Sequence, residues 1–242
     1  MAKKSGSNRL KRISAPGQWD IARKEARFII KTSPGPHSIE SSYPLGVVLR
    51  NLLGFVNNTR ELKHILTSGE VLVDRKPRSS PSFPAGLFDV IEIPKEGIAY
   101  RLLPSSKGLV PSKTSEDEAR LKLCRVKSKV KIKGGKIQYG LHDGRSLIGV
   151  SFDLSLGDSM LLKVPEQSVV SSIKLSQGSL GLVISGERAG QVGKILNVKK
   201  GSITRERMVT ISLPSGETEI PSRLVFPVGT DKPVINMQVS NR

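Results

Sequence analysis

The sequence predicts an α+β protein built from several small domains: an extended basic N-terminal arm, a compact module with two short helices, a β-rich central domain and a C-terminal β domain. Three observations lead there. Lys and Arg total 39 against 21 Asp and Glu, a net charge of +18 over 242 residues. Apolar residues repeat at helical spacing chiefly between Leu45 and Leu66. Most of the remainder is short apolar runs broken by Gly, Pro and Asp, which is the punctuation of strands.

Residues 1–44 form the predicted arm and linker. Met1–Lys31 holds nine basic residues and two acidic ones, Asp20 and Glu25, without a continuous apolar face. Such a segment cannot bury enough surface to offset its ordering entropy, so it is expected to order on a partner. Thr32–Pro44, with three prolines, one glycine and four serines, has the composition of a linker.

Residues 45–94 change character. Leu45, Val48, Leu49, Leu52 and Leu53 predict a helix kept short by Gly46 and Gly54. A second helix follows, with Asn58 as N-cap, Glu61 in capping-box position and Leu62, Ile65 and Leu66 as the buried stripe. Gly69 stands where a left-handed C-terminal residue belongs. Arg60, Lys63 and Thr67 then share the outward face. Glu70–Asp74 predicts a strand, Lys76–Pro77 a turn, and Asp89–Ile93 another strand.

Residues 95–172 predict the central β domain, with one or two helical turns at Glu116–Lys122. Lys122–Lys136 carries seven basic residues and no acidic one. Lys127, Lys129, Lys131 and Lys133 alternate with Val126, Ser128, Val130 and Ile132, which at period 2 puts four lysines on one strand face. Such a face can protect an edge against aggregation or meet phosphates. Edge protection needs fewer lysines, which favours phosphate. Residues 173–230 predict a last β domain, with strands at Leu180–Ile184, Val192–Val198, Met208–Leu213 and Leu224–Phe226, and residues 231–242 a loose tail.

A charge of +18 repels itself and calls for a polyanionic partner. Aromatic residues make up only 4%, too few for an abundant platform of stacked bases, so phosphates and shape are the expected handles. The single cysteine, Cys124, excludes an internal disulfide and a cysteine-based zinc site. It reads as a small buried hydrophobe rather than a nucleophile. His37, His64 and His142 are widely spaced and predict no metal cluster. No apolar run approaches 20 residues, which argues against a membrane span. The charged N-terminus lacks the apolar core of a signal peptide, so a cytoplasmic address is expected. No acid, base and nucleophile come together in the pattern, so neither catalysis, nor a cofactor, nor a small-molecule substrate is expected. His142-Asp143 before Gly144 reads as turn chemistry or a single RNA contact.

Three passages carry a resemblance. Leu10–Pro16 (LKRISAP) with Trp19 is a basic-plus-aromatic stretch close to the N-terminus. Thr59-Arg60, Gly69-Glu70-Val71, Asp74, Lys76, Pro84-Ala85-Gly86 and Asp89-Val90-Ile91 resemble the αL RNA-binding module. Gly186, Gly190 and Gly193 with Lys194-Ile195 look like a KOW motif, as found in SH3-like β-barrels. In this order and spacing, with Gly35-Pro36-His37 and Lys122-Leu123-Cys124 between them, the chain resembles the archaeal and eukaryotic ribosomal protein S4e family. One departure is Arg9, where the family usually has histidine. Arginine keeps a planar cation there but cannot titrate.

The resemblance implies a structural constituent of the small ribosomal subunit, contacting its rRNA and neighbouring ribosomal proteins. The expected RNA contacts are Lys3, Lys4, Arg9, Lys11, Arg12 and Trp19 in the arm, and Arg50, Arg60, Lys63, His64, Lys76 and Arg78 in the module. Lys127, Lys129, Lys131, Lys133 and Lys136 follow in the central domain, and Lys194, Lys199, Lys200 and Arg205 in the last. Trp19 can stack on a base or anchor the arm on the core, and the two readings weigh equally. The KOW glycines are first of all turn residues needing positive φ. Two other function classes fit parts of the sequence. An RNA-modifying enzyme targeted by an αL module would need a catalytic domain, and a KOW-containing regulatory factor would need a further domain and a more balanced charge.

Overall fold

The computed structural model describes residues 7, 9–149, 153–202 and 205–237. The N-terminal segment opens with a two-stranded ribbon, β1 (Leu10–Lys11) against β2 (Phe28–Ile29). Between them Trp19 is buried, donates from Nε1 to the Ser42 carbonyl at 2.8 Å and stacks on Tyr43. Arg23 gathers the loop by donating to the carbonyls of Ala15 and Pro16, both at 2.8 Å. The linker is likewise ordered, since β3 (Ser42–Pro44) pairs with Pro84–Gly86 and His37 is buried. The expectation of an arm and linker without a core is therefore corrected for residues 9–44. Sparse apolar residues (Ala15, Trp19, Ile29, Tyr43) suffice because they complete a core that the next segment begins.

That next segment contains α1 (Leu45–Val47), which continues into a wide π-type turn over Val48–Leu52, and α2 (Thr59–Thr67). The Asn58 side chain accepts from the backbone N–H groups of Arg60 and Glu61, as a cap should. Glu61 reaches back one residue further than expected, to the Asn57 N–H. At the other end Gly69 has φ +73, with Glu70 N–H bonded to Ile65 O and Gly69 N–H to Leu66 O, the paired bonds of a Schellman ending. After β4 (Leu72–Val73) the chain turns at Asp74 and Arg75, both with positive φ, and returns as β5 (Lys76–Pro77). The expected turn at Lys76–Pro77 is thus displaced by two residues, because a two-residue hairpin loop needs positive φ at both positions.

β6 (Pro84–Gly86) and β7 (Val90–Ile93) lead to the long hairpin of β8 (Ile98–Ser105) and β9 (Gly108–Thr114). One antiparallel sheet runs β5-β4-β7-β8-β9. A single helical turn, α3 (Glu116–Ala119), precedes β10 (Leu121–Lys131), β11 (Ile137–Leu141), β12 (Ser146–Ile148), β13 (Ser159–Lys163) and β14 (Ser168–Ile173). These pair in the order β12-β11-β10-β13-β14. The last sheet holds β15 (Leu180–Val183), β16 (Val192–Lys199), β17 (Met208–Leu213), β18 (Gly216–Pro221) and β19 (Val225–Gly229), ordered β18-β17-β16-β15-β19. Sequence reading missed β18 because Gly-Glu-Thr-Glu has almost no apolar content. It is an edge strand held through the register of its hairpin with β17.

One of the apolar clusters spans the three large sheets. Leu87, Phe88 and Leu103 pack with Leu123, Leu161 and Ile173, and with Leu182, Phe226 and Val228 of the last sheet. Ile235 joins the same cluster and the Val234 N–H bonds Val228 O. Residues 231–237 are therefore docked rather than a loose tail, while 238–242 lie outside the described residues. Gly190, with φ +88, lies against β8, where a Cβ would sit 2.6 Å from the Pro104 carbonyl. Gly193 similarly abuts Ser212 O. Gly190 and Gly193 thus serve close packing.

Asn58→Ala should destabilise the fold by about 1 kcal/mol, through two backbone donors left without their side-chain acceptor. Urea unfolding against Lys63→Ala, which removes only an exposed side chain, checks this.

Candidate nucleic-acid interface

Basic residues fall into two populations, one folded inward and one on the surface. The inward group centres on Lys122 of β10, whose side chain is 1% exposed. Its ammonium donates to Asp74 at 2.6 Å, to Asp89, and lies 3.2 Å from Asp143. Asp74 comes from the β4–β5 turn, Asp89 from the approach to β7 and Asp143 from the β11–β12 turn. Arg145 adds a second cation, 2.7 Å from Asp74 and 3.4 Å from Asp143. His37 meets Asp89 at 3.1 Å. Burial alone would raise the Asp89 carboxyl, but Lys122 and His37 outweigh it and hold the group well below the usual carboxylate range. Asp143 is held low in the same way, against burial, by Lys122 and Arg145. Lys122 is raised, the aspartates overcoming the burial that opposes its charge.

His142 is neutral in this setting. Its Nδ1 accepts from the Arg125 backbone N–H at 3.2 Å, which leaves no proton on that nitrogen, and Nε2 faces Leu87 O at 3.4 Å. Burial pushes its pKa down to about 3. Cys124 is buried and its thiol is pushed well above its ordinary value by burial and by Asp143, so it is no nucleophile. Cys124, His142 and Asp143 offer ligand atoms within 4.8 Å of one another. The sequence reading missed this grouping because the histidines and Cys124 are far apart in the chain. It makes a poor metal seat, because Lys122 and Arg145 already supply the positive charge beside Asp143.

The surface group is spread over all three sheets and the ribbon. Arg9 and Lys11 are exposed on the ribbon, while Lys3 and Lys4 lie outside the described residues. Arg60, Lys63 and His64 are exposed on α2, and Lys76 on β5. Arg50 is half-buried and donates to the neighbouring Asn51 side chain. Arg78 lies over the Phe83 ring at 4.5 Å, on the wall of a cleft of about 400 Å³ that opens above the Lys122 cluster. Lys194, Lys200 and Arg205 are exposed.

The lysine strand differs from its expected form. A one-residue bulge between Val126 and Ser128 breaks the alternation, so Lys129 stands opposite Tyr139 and Lys131 opposite Ile137, while Lys133 and Lys136 lie in the following turn. Four lysines on one uninterrupted face is thus corrected. β13 pairs β10 as far as Arg125, and Val126 still bonds Gly157 and Asp158 through its backbone, so among the described residues the free edge of the β10–β11 hairpin begins at Lys127. Both readings of the lysines are consistent with that position. Lys129 is partly engaged, with Asp153 at 2.8 Å and Leu154 O at 2.9 Å. Lys127, Lys131, Lys133 and Lys136 meet no carboxylate among the described residues.

Two expected contacts are corrected, and a third is shared with a carboxylate. Arg12 is buried, pairs with Glu25 and donates to Ala22 O, because the loop between β1 and β2 folds over it. Trp19 is core, as described above. Lys199 on β16 reaches past β17 to Glu219 on β18 at 3.0 Å, and its side chain stays more than half exposed. In their place the structure exposes Arg27 and Phe28, which sequence reading passed over. The alternation of Leu10-Lys11 against Phe28-Ile29 was the available signal.

The family described as "Ribosomal family S4e" matches residues 96–169, and the "RS4NT (NUC023) domain" matches residues 4–40. The chain is 41% identical over 242 residues to small ribosomal subunit protein eS4 of Methanothermobacter thermautotrophicus, covering 98% of each. It is 42% identical over 242 residues to that of Methanosphaera stadtmanae, covering 100% of both. The crystal structure of 30S ribosomal protein S4e from Thermoplasma acidophilum superposes with a TM-score of 0.68 at 30% identity. That match covers 79% of this chain and 96% of the other.

Lys122→Met should cost about 3–5 kcal/mol, since it strands three buried aspartates around an apolar side chain. Lys133→Met should stay within about 0.5 kcal/mol. Stability should also fall in acid. The folded pKa of His142 lies below its unfolded value, so its contribution is whole above about pH 6.5 and falls by about 1.4 kcal/mol per pH unit below it. Asp89 and Asp143, both held low, contribute above about pH 4 and lose that contribution as the pH drops further. Urea midpoints measured between about pH 7.5 and 4.5 should therefore slope for the parent and flatten for His142→Gln.

Proposed function

The chain belongs to the ribosomal family S4e, and from that membership we propose that it is a structural constituent of the small ribosomal subunit that binds and stabilises folded rRNA. The observation that carries this is full-length similarity to proteins named small ribosomal subunit protein eS4. The surface supplies the chemistry. A-form RNA hides its major groove and offers phosphates and 2′-hydroxyls, which fixed cations on a rigid scaffold can meet. Arg60 and Lys63 on α2, Lys127, Lys131, Lys133 and Lys136 on the hairpin, Lys194 on β16, and Lys200 and Arg205 in the loop that follows it are such cations. The αL-type module and KOW barrel named by the resemblance are the natural frames for the first and last groups. As a constituent of the particle the chain is not an enzyme, and it also touches neighbouring ribosomal proteins in the cytoplasm. The alternatives of a KOW regulatory factor or an RNA-modifying enzyme gain no support from relatives matched end to end.

Each phosphate neutralised should add about 0.7–0.9 to the slope of log K against log salt. Replacing Lys127, Lys131 and Lys133 together by Gln should then reduce that slope by about 2 to 3 for small-subunit rRNA, with the thermal melt unchanged. An unchanged slope would assign these lysines to edge protection instead. In a native lysate at low salt the protein should sediment with the small subunit. Migration apart from it at low salt would refute the proposal.

A further inference from the structure

We propose that Phe28, flanked by Arg9 and Arg27, is a stacking site for one unpaired RNA base. The inference rests on the reading of the chain as an rRNA-binding protein and adds a specific contact to it. In the β1–β2 ribbon Leu10 pairs with Ile29 and Lys11 with Phe28. Successive strand residues point to opposite faces, and directly paired ones to the same face. Ile29 and Leu10 pack on the core, so Phe28 and Lys11 must face out.

Phe28 is 43% exposed, and among the described residues no other Phe, Tyr or Trp is classed as exposed. The ring takes no part in the core, whose packing the inward side of the ribbon supplies through Leu10 and Ile29. The guanidinium carbons of Arg27 and Arg9 sit 5.3 and 5.9 Å from the ring centroid. Both are looser than the 4.5 Å of Arg78 on Phe83. No carboxylate among the described residues pairs with Arg9, Lys11 or Arg27. A π face flanked by two guanidinium groups, with Lys11 at the paired strand position and no counter-anion among the described residues, fits a base with its flanking phosphates. The ring offers dispersion and stacking to the base, and the cations neutralise the phosphates on either side. Trp19 cannot serve, because it is enclosed against Tyr43.

The test uses the full chain and two probes, a short oligouridine and a blunt RNA duplex, followed by fluorescence anisotropy. Phe28→Ala should weaken oligouridine binding by about 5-fold to 150-fold. It should leave the salt slope unchanged, because no charge is removed, and should barely alter duplex binding. Arg9→Gln with Arg27→Gln should instead lower the slope. Phe28→Trp keeps a ring in place and reports directly: its emission should be quenched by oligouridine and not by duplex, with buried Trp19 as a constant background. Oligouridine binding by Phe28→Ala equal to the parent, or unquenched emission from Phe28→Trp at saturation, would overturn the stacking site while leaving the rRNA reading intact. If the parent bound neither RNA, both would fail.

Discussion

The arrangement of this protein depends on one buried ammonium group. Lys122 is enclosed at the meeting point of three turns, and its three aspartates come from positions 74, 89 and 143. Taking that many charges out of water is expensive, and an apolar replacement of the whole cluster could be as stable. What the cluster supplies is geometry. An ion pair with three directional partners tolerates little displacement, so the β4–β5 turn and the β11–β12 turn are held at a set distance. Through Arg125, which donates to the carbonyls of Arg223 and Val225, the last sheet is tied to the same strand. Contacts on a large partner depend on fixed spacing between separate patches, and this junction provides it.

Internal use of cations extends well beyond Lys122. Arg101 is buried and donates to the Glu118 and Leu121 carbonyls, and burial pushes its pKa down to about 10. Arg23 holds the N-terminal loop, and Arg12 pairs inside it. The net charge of +18 therefore overstates how many cations face outward, while the acidic residues are also partly consumed inside. What remains on the surface is strongly biased to positive groups on α2, the β10–β11 hairpin, the ribbon and β16. Most of these lie on helix or strand and the rest in the turns that join them, which limits the entropy lost when phosphates are met.

Much of the local architecture was legible because it depends on near neighbours. Asn58 and Gly69 bracket α2 as their chemistry requires, and Cys124 is the small buried group its surroundings suggested. The N-terminal segment was misread for a reason of the opposite kind. Its few apolar residues do not repeat at any period, and their burial depends on α1, α2 and β6, which lie far along the chain. The bulge beside Lys127 was equally hidden, because one extra residue in a strand leaves no mark in composition.

By itself, then, the sequence determined the balance of charge, the class of elements, the ends of α2 and the motifs that mark the family. Those properties follow from side-chain chemistry and spacing within a few residues. Only the tertiary structure decided which cations are spent on aspartates and carbonyls and which stay in water. The same holds for Trp19 and Phe28, two aromatics in basic surroundings that differ only in which one the core encloses. Burial is a property of distant segments brought together, and no local pattern around either residue carries it.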